Sequence, residues 1–297
     1  MTRPGHSSPH TFLGAAGNRL AADMFGETGR AVLLLHGGGQ TRHAWRATGA
    51  RIAQAGMVAV AVDQRGHGDS EWIADGAYAF ADFAADATAV AQAIRARTGA
   101  APIAIGASLG GIASLLAAGR ARARGEGAPF SALVLVDITP RVDPDGVAKV
   151  RGFMRTHAED GFATIEQAAE AVAAYLPHRP RPRSHEGLKK NLRLHPDGRW
   201  RWHWDPRFLA GPRAVGSDLG IERELTAAAR GLVIPTLLVR GKSSELVQEA
   251  HAKEFLALVP HAHYADVSGA RHMVAGDEND VFAAAILKFL NGLERQP

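Results

Sequence analysis

Cysteine is absent from all 297 residues, so no disulfide framework, thiolate metal site or cysteine nucleophile is available. Long apolar runs are missing too: none approaches the roughly 20 residues that a bilayer-spanning helix needs. The first residues, MTRPGHSSPHTF, hold a basic side chain but no apolar stretch, and so do not read as a secretory signal. Lysine is scarce, supplying six of the 34 basic residues, and the net charge of +4 is too mild to name a partner. The densest basic segment, residues 178–183, alternates with proline and reads as a solvated loop rather than a nucleic-acid patch. No internal repeat or low-complexity tract occurs. What remains is an ordinary globular composition, 46% hydrophobic and 22% charged, with length for one large α/β domain or two small ones.

Five short segments are almost continuously apolar: AVLLL (31–35), MVAVAV (57–62), PIAIGA (102–107), SALVLV (131–136) and PTLLV (235–239). They lack a period of two, as expected of parallel strands covered on both faces. Helical spacing appears between and after them, at Phe83, Ala87, Val90, Ala91 and Ile94, at Ile112, Leu115 and Leu116, and at Val281, Phe282, Ala285, Ile286 and Phe289. The alternation predicts an α/β fold with a doubly wound, mostly parallel sheet, and residues 10–25 as antiparallel edge strands. It stops after Val136. From 141 to 231 the chain shows helical stretches, the proline/arginine loop, and HPDGRWRWHWDP (195–206), whose Asp197-Gly198 turn precedes an alternating tryptophan arm. The domain expectation is a core of 1–140 and 232–297, with a mainly helical cap, 141–231, inserted between two core strands.

The segment IAIGASLGG (103–111) holds Gly-x-Ser-x-Gly between an apolar strand and a helical run. That setting makes Ser108 a candidate nucleophile on a tight strand-to-helix turn, where side chains at Gly106 and Gly110 would clash. A serine hydroxyl needs a base, and His272, in VSGARHMVAG between the expected last strand (263–267) and the last helix, is placed to return to that sheet edge. His36 reads as a structural residue of its loop. HGGGQTRHAW (36–45) follows a strand and offers open backbone amides. The Gly38 N–H, with that of Leu109, is the expected oxyanion hole. The loop is not a phosphate cradle, because the Gly-Lys-Ser/Thr ending is absent. Trp204 and Met273 are candidate substrate contacts, and Asp63 and Arg65 of DQRGHG read as a structural pair.

HGGGQTRHAW, VDQRGHGDS (62–70), IAIGASLGG, LVLVDITP (133–140), LLVRGKSSELV (237–247) and VSGARHMVAG together resemble, in order and spacing, the landmarks of the α/β-hydrolase superfamily. The cap, with DGRWRWHWDP, is similar to those of small bacterial serine esterases and cofactor-free perhydrolases. The resemblance implies a Ser–acid–His triad under a helical cap. Serine rather than aspartate at the elbow separates the chain from the epoxide-hydrolase and haloalkane-dehalogenase branches. Most relatives place the acid three residues after the glycine that follows the strand PTLLVR. Here Gly241 leads through Lys242 and Ser243 to Ser244, and a carboxylate arrives only at Glu245. The other candidate is Asp137, where a subset resembling Val-Asp-Ile-Ala-Pro esterases carries its acid. Both keep the order Ser…acid…His, and both stay open.

The expectation is a serine hydrolase for a small carboxylic ester, thioester or lactone, with carbon–carbon hydrolysis or perhydrolysis on the same triad as the alternative. A non-catalytic small-ligand receptor is the alternative of another class. No metal or cofactor is implied. A small-molecule substrate is the expected partner, without nucleic acid or membrane, in the cytoplasm, and assembly into a homo-oligomer is compatible with the sequence.

Overall fold

The computed structural model describes residues 7–177, 181, 184–268 and 279–293. Two antiparallel strands, β1 (Ser7–Leu13) and β2 (Arg19–Phe25), open the chain, close to the expected edge. Then come β3 (Ala31–Leu35), α1 (Arg46–Gln54), β4 (Val58–Val62), α2 (Phe80–Thr98), β5 (Ile103–Ala107), α3 (Leu109–Ala123) and β6 (Ala132–Val136). After an excursion the chain returns through β9 (Thr236–Gly241), α7 (Glu249–Leu258), β10 (His263–Val267) and α8 (Asn279–Leu293). The sheet order is β1-β2-β4-β3-β5-β6-β9-β10. Only β1–β2 and β2–β4 pair antiparallel, and every other neighbour is parallel.

The apolar strands are buried on both faces, which explains their unbroken hydrophobic runs. Leu33 and Leu35 of β3 point into one layer with Phe83, Leu116 and Phe255, while Val32 and Leu34 face Trp45, Ile52, Phe282 and Ile286. Helices α2, α3 and α7 therefore cover one face and α1 and α8 the other. On α8 Val281, expected on the buried face, is instead exposed, because Phe282 and Ile286 are the residues turned to the sheet. Each fully buried leucine or valine contributes about 1.5–3 kcal/mol relative to exposure. This packing holds the C-terminal strand ends as a rigid platform.

The excursion between β6 and β9 carries α4 (Pro144–Arg155), α5 (Ile165–Tyr175), the hairpin β7 (Leu192–Leu194)–β8 (Trp200–Trp202), and α6 (Ile221–Arg230). Capping residues start two of its helices. The Asp143 carboxylate accepts the Gly146 N–H at 2.9 Å before Pro144, and the Thr164 hydroxyl accepts that of Gln167 at 3.2 Å. The Asp197-Gly198 turn, with Gly198 at φ 78°, joins the two short strands. Beyond β8 the arm is tied to the core: Gly68 N–H donates to His203 O at 2.7 Å and Asp205 N–H to Gly66 O at 2.8 Å. Helix α6 packs on α3, so closely that a Cβ at Gly119 would lie 2.4 Å from that of Ala228. Among the described residues, no helix is long and apolar enough to cross a membrane.

Candidate active site

Register brings the site together. Ala107 pairs with Val136 and Gly106 with Leu35, so Ser108, Asp137 and His36 each follow the C-terminal end of neighbouring parallel strands. Ser108 lies between β5 and α3 at φ 44°, ψ −108°, a strained left-handed conformation costing about 1–3 kcal/mol. Crowding enforces it: a Cβ on Gly106 would lie 2.3 Å from Gly110 O, and one on Gly110 would lie 2.3 Å from Leu35 O. Gly110 N–H donates to His36 O at 3.2 Å, and Ser108 N–H to Val136 O at 3.1 Å, fastening the turn to both adjoining strands.

The loop after β3 distributes its three glycine amides unequally. Gly37 N–H donates to Gln40 Oε1 at 3.0 Å, and Gly39 N–H to His67 Nε2 at 3.1 Å. Among the described residues, the Gly38 and Leu109 N–H groups have no hydrogen-bond partner. Both residues line the same cavity as Ser108. The donors that flank Gly38 are thus spent inside the protein, whereas the middle one is not.

His36 and His67 are fully buried and serve as struts. His36 Nδ1 meets Gly37 O at 2.8 Å and its Nε2 accepts the Gln64 N–H at 3.0 Å. His67 Nδ1 meets Arg65 O at 3.0 Å. In each ring the carbonyl requires the proton on Nδ1 and the amide requires a bare Nε2. Burial lowers the His36 pKa to about 4, with a smaller contribution from the Arg42 charge. For His67 burial and then His36 lower it to about 3. Both rings are neutral at pH 7. The structural reading of His36 agrees with this placement.

Asp137 is also at positive φ, 50°, and is completely buried. Its Oδ1 accepts the Gly241 N–H at 3.1 Å, and its Oδ2 accepts the Ser244 hydroxyl at 2.6 Å. Ser244 occupies the position three residues after Gly241 where the resemblance expects an acid. The Glu245 side chain takes no part in the pair of bonds to Asp137. One of its carboxylate oxygens is buried without a hydrogen bond among the described residues, and its charge, after burial, helps push the Tyr175 phenol on α5 up to about 12. His272 and Met273 lie outside the described residues. The segment that holds them follows Val267, which pairs with Gly241, the donor to Asp137.

Asp63 and Arg65 do not pair with each other, contrary to expectation. Asp63 meets Arg42, and Arg65 makes a two-pronged bond to Asp86 at 2.6 and 2.7 Å. Asp86 comes from α2 and Arg42 from the segment just before α1, which the short motif alone does not show. Trp204 lines the cavity and is buried, and Phe208, unmarked in the sequence, stands 3.3 Å from where a Gly38 Cβ would be. The His67 ring packs edge-on against Phe208, with centroids 4.8 Å apart. Of the residues that sequence reading missed, Gln40, His67 and Ser244 sit within the quoted motifs, whereas Phe208 has no local signal. Among the described residues, no cluster of three or more histidine, aspartate or glutamate side chains is arranged to hold a metal.

The strained Ser108, the glycine loop and the buried Asp137 thus gather at the C-terminal ends of adjacent parallel strands. Residues 30–278 match the family described as the alpha/beta hydrolase fold. The chain therefore belongs to the α/β hydrolase fold family. It is 31% identical over 267 residues to the esterase Rv0045c of Mycobacterium tuberculosis, covering 87% of this chain and 82% of that one. It is 28% identical to a 2-(acetamidomethylene)succinate hydrolase of Mesorhizobium japonicum, over 78% of each chain. A crystal structure of esterase Rv0045c superimposes with a TM-score of 0.73 at 26% identity, over 96% of this chain and 92% of that one. A crystal structure of E-2-(acetamidomethylene)succinate hydrolase gives 0.81 at 24% identity, over 96% and 100%, a likeness of fold alone.

Proposed function

We propose that this protein is a serine hydrolase that cleaves a carboxylic ester, thioester or lactone through an acyl-enzyme. The observation that carries the reading is the strained Ser108 beside two unspent amides, Gly38 and Leu109. Ser108 Oγ attacks the carbonyl carbon while its proton passes to the His272 imidazole. The carbonyl oxygen becomes an oxyanion that accepts from the Gly38 and Leu109 N–H groups; one such donor is worth about 2.7–4 kcal/mol. Collapse breaks the bond to the leaving oxygen or sulfur, which takes the proton from His272. Water then attacks the acyl-enzyme with His272 as base and releases the acid and Ser108.

Asp137 is our choice for the carboxylate that orients His272. It is fixed by the Gly241 N–H and the Ser244 hydroxyl just past the end of β6, whereas one Glu245 carboxylate oxygen is buried without a hydrogen bond among the described residues. Residues 141–231 are read as the cap, with Trp204 and Met273 as substrate contacts. A similar protein, 28% identical over 89% of this chain, is the non-heme chloroperoxidase CPO-A1 of Kitasatospora aureofaciens. That likeness favours, as a second reading, perhydrolysis in which peroxide replaces water at the acyl-enzyme.

A fluorophosphonate probe tests the nucleophile. Wild type should be labelled on Ser108, and Ser108→Ala should stay unlabelled and lose ester turnover. Equal labelling of both proteins sinks the assignment.

A further inference from the structure

Ser108 and the glycine loop open into a cavity of about 1090 Å³. Pockets for drug-sized ligands run from about 300 to 1,000 Å³, so an acetyl ester of a small alcohol fills only a fraction of this one. The walls matter as much as the size. On α4, Val147, Val150 and Met154 recur at helical spacing and face the cavity; on α5, Ala169, Val172 and Ala173 do the same. Of these six only Met154 is buried, and the others stay half-exposed. Phe153, stacked on Tyr175 at 4.0 Å and 9°, extends the apolar wall. Two amphipathic helices thus turn their apolar faces toward the space above the serine. Charged groups also reach the cavity from the same helices. Glu166 and Glu170 of α5 are exposed at its mouth, and Arg151 of α4 donates from Nη2 to Val215 O at 3.3 Å while its Nε is buried without a hydrogen-bond partner among the described residues.

We propose that the substrate carries an apolar chain of about eight to twelve carbons, bound between α4 and α5 with its ester at Ser108. The physical reason is burial. A short ester leaves both helix faces wet, whereas a longer chain removes them and itself from water, at up to about fourfold in affinity per buried CH₂. This inference rests on the hydrolase reading and specifies its substrate. The chain can belong to the acid or to the alcohol, and the shared chemistry is an extended hydrocarbon.

The test uses two series of esters below their micellar concentrations. One varies the acid of p-nitrophenyl esters from acetate to dodecanoate, and the other varies the alcohol of acetate esters from ethyl to decyl. In one series kcat/KM should rise at least about tenfold from the shortest member to its eight- to twelve-carbon optimum. The responding series identifies the side that holds the chain. An optimum at two to four carbons in both series overturns the proposal. In Ala169→Trp and Ala173→Phe, which fill the α5 wall, the long-to-short ratio of kcat/KM should fall at least fivefold. An unchanged ratio in both variants overturns the placement. Fluorophosphonate labelling of the same wild-type preparation separates the two levels. If Ser108 is not labelled, the hydrolase reading fails; if it is labelled and short esters win, only the chain-length inference fails.

Discussion

At the scale of single residues, two carboxylates compete for one role and the structure treats them differently. Asp137 receives two hydrogen bonds and lies just past the end of β6, the strand next to the one that leads into Ser108. Glu245 keeps one buried oxygen without a hydrogen bond among the described residues, which is costly for a charged group. Asp137→Asn should lower kcat by at least ~10²-fold, because an amide no longer stabilises the imidazolium that forms during attack. Glu245→Gln should leave kcat within about threefold. Steady-state kinetics on one chromogenic ester checks both. The opposite ranking would falsify the choice of Asp137. Ser244 explains why the common acid position can be vacant of charge: its hydroxyl donates to a carboxylate supplied by the next strand.

At the scale of elements, the glycine loop is held by histidines that never need to ionise. His67 ties Gly39 to Arg65 across two loops, and His36 ties Gly37 to Gln64. Their pKa values lie below the ordinary 6.5, at about 3 and 4. Between those values and 6.5 the unfolded chain binds more protons than the folded one, so stability falls as pH drops. The contribution is complete above about pH 6.5 and is lost progressively below it. His67→Gln keeps an acceptor for the Gly39 N–H but cannot titrate. Its melting temperature should therefore fall less between pH 7 and pH 4.5 than that of wild type, even though it starts lower. Calorimetry at both pH values checks this, and parallel losses in the two proteins would rule out His67 as a source of acid sensitivity.

At the scale of the whole molecule, the excursion between β6 and β9 is latched to the core well away from its entry and exit. The Tyr78 hydroxyl donates to buried Asp205 at 2.6 Å, the Tyr78 N–H donates to Arg213 O at 3.0 Å, and Asp205 N–H holds Gly66 O. The same arm brings Trp204 and Phe208 over the glycine loop. Tyr78→Phe removes one of the donors to a buried carboxylate, a loss of about 1–3 kcal/mol. Hydrogen exchange should then quicken in residues 203–208, with KM rising more than kcat falls. Unaltered exchange in that arm would show that the backbone bonds suffice.

Much of this protein follows from residue order. Unbroken Val/Leu/Ile runs between helical periods determine a parallel sheet covered on both faces, because only strands shielded from water on both sides tolerate them. Gly-x-Ser-x-Gly between strand and helix determines a tight elbow, since Gly106 and Gly110 leave no room for a Cβ. Tertiary structure decided what depends on distant partners. Asp63 and Arg65 look like a pair in the chain, yet α2 supplies Asp86 to Arg65, and Arg42, just before α1, meets Asp63. Two carboxylates satisfy the same motif, and only the β6–β9 pairing shows which one Gly241 and Ser244 embrace. Phe208 carries no local pattern because its place over Gly38 comes from an arm anchored more than a hundred residues away. Local periodicity records which side of an element is dry; it does not record which neighbour makes it so.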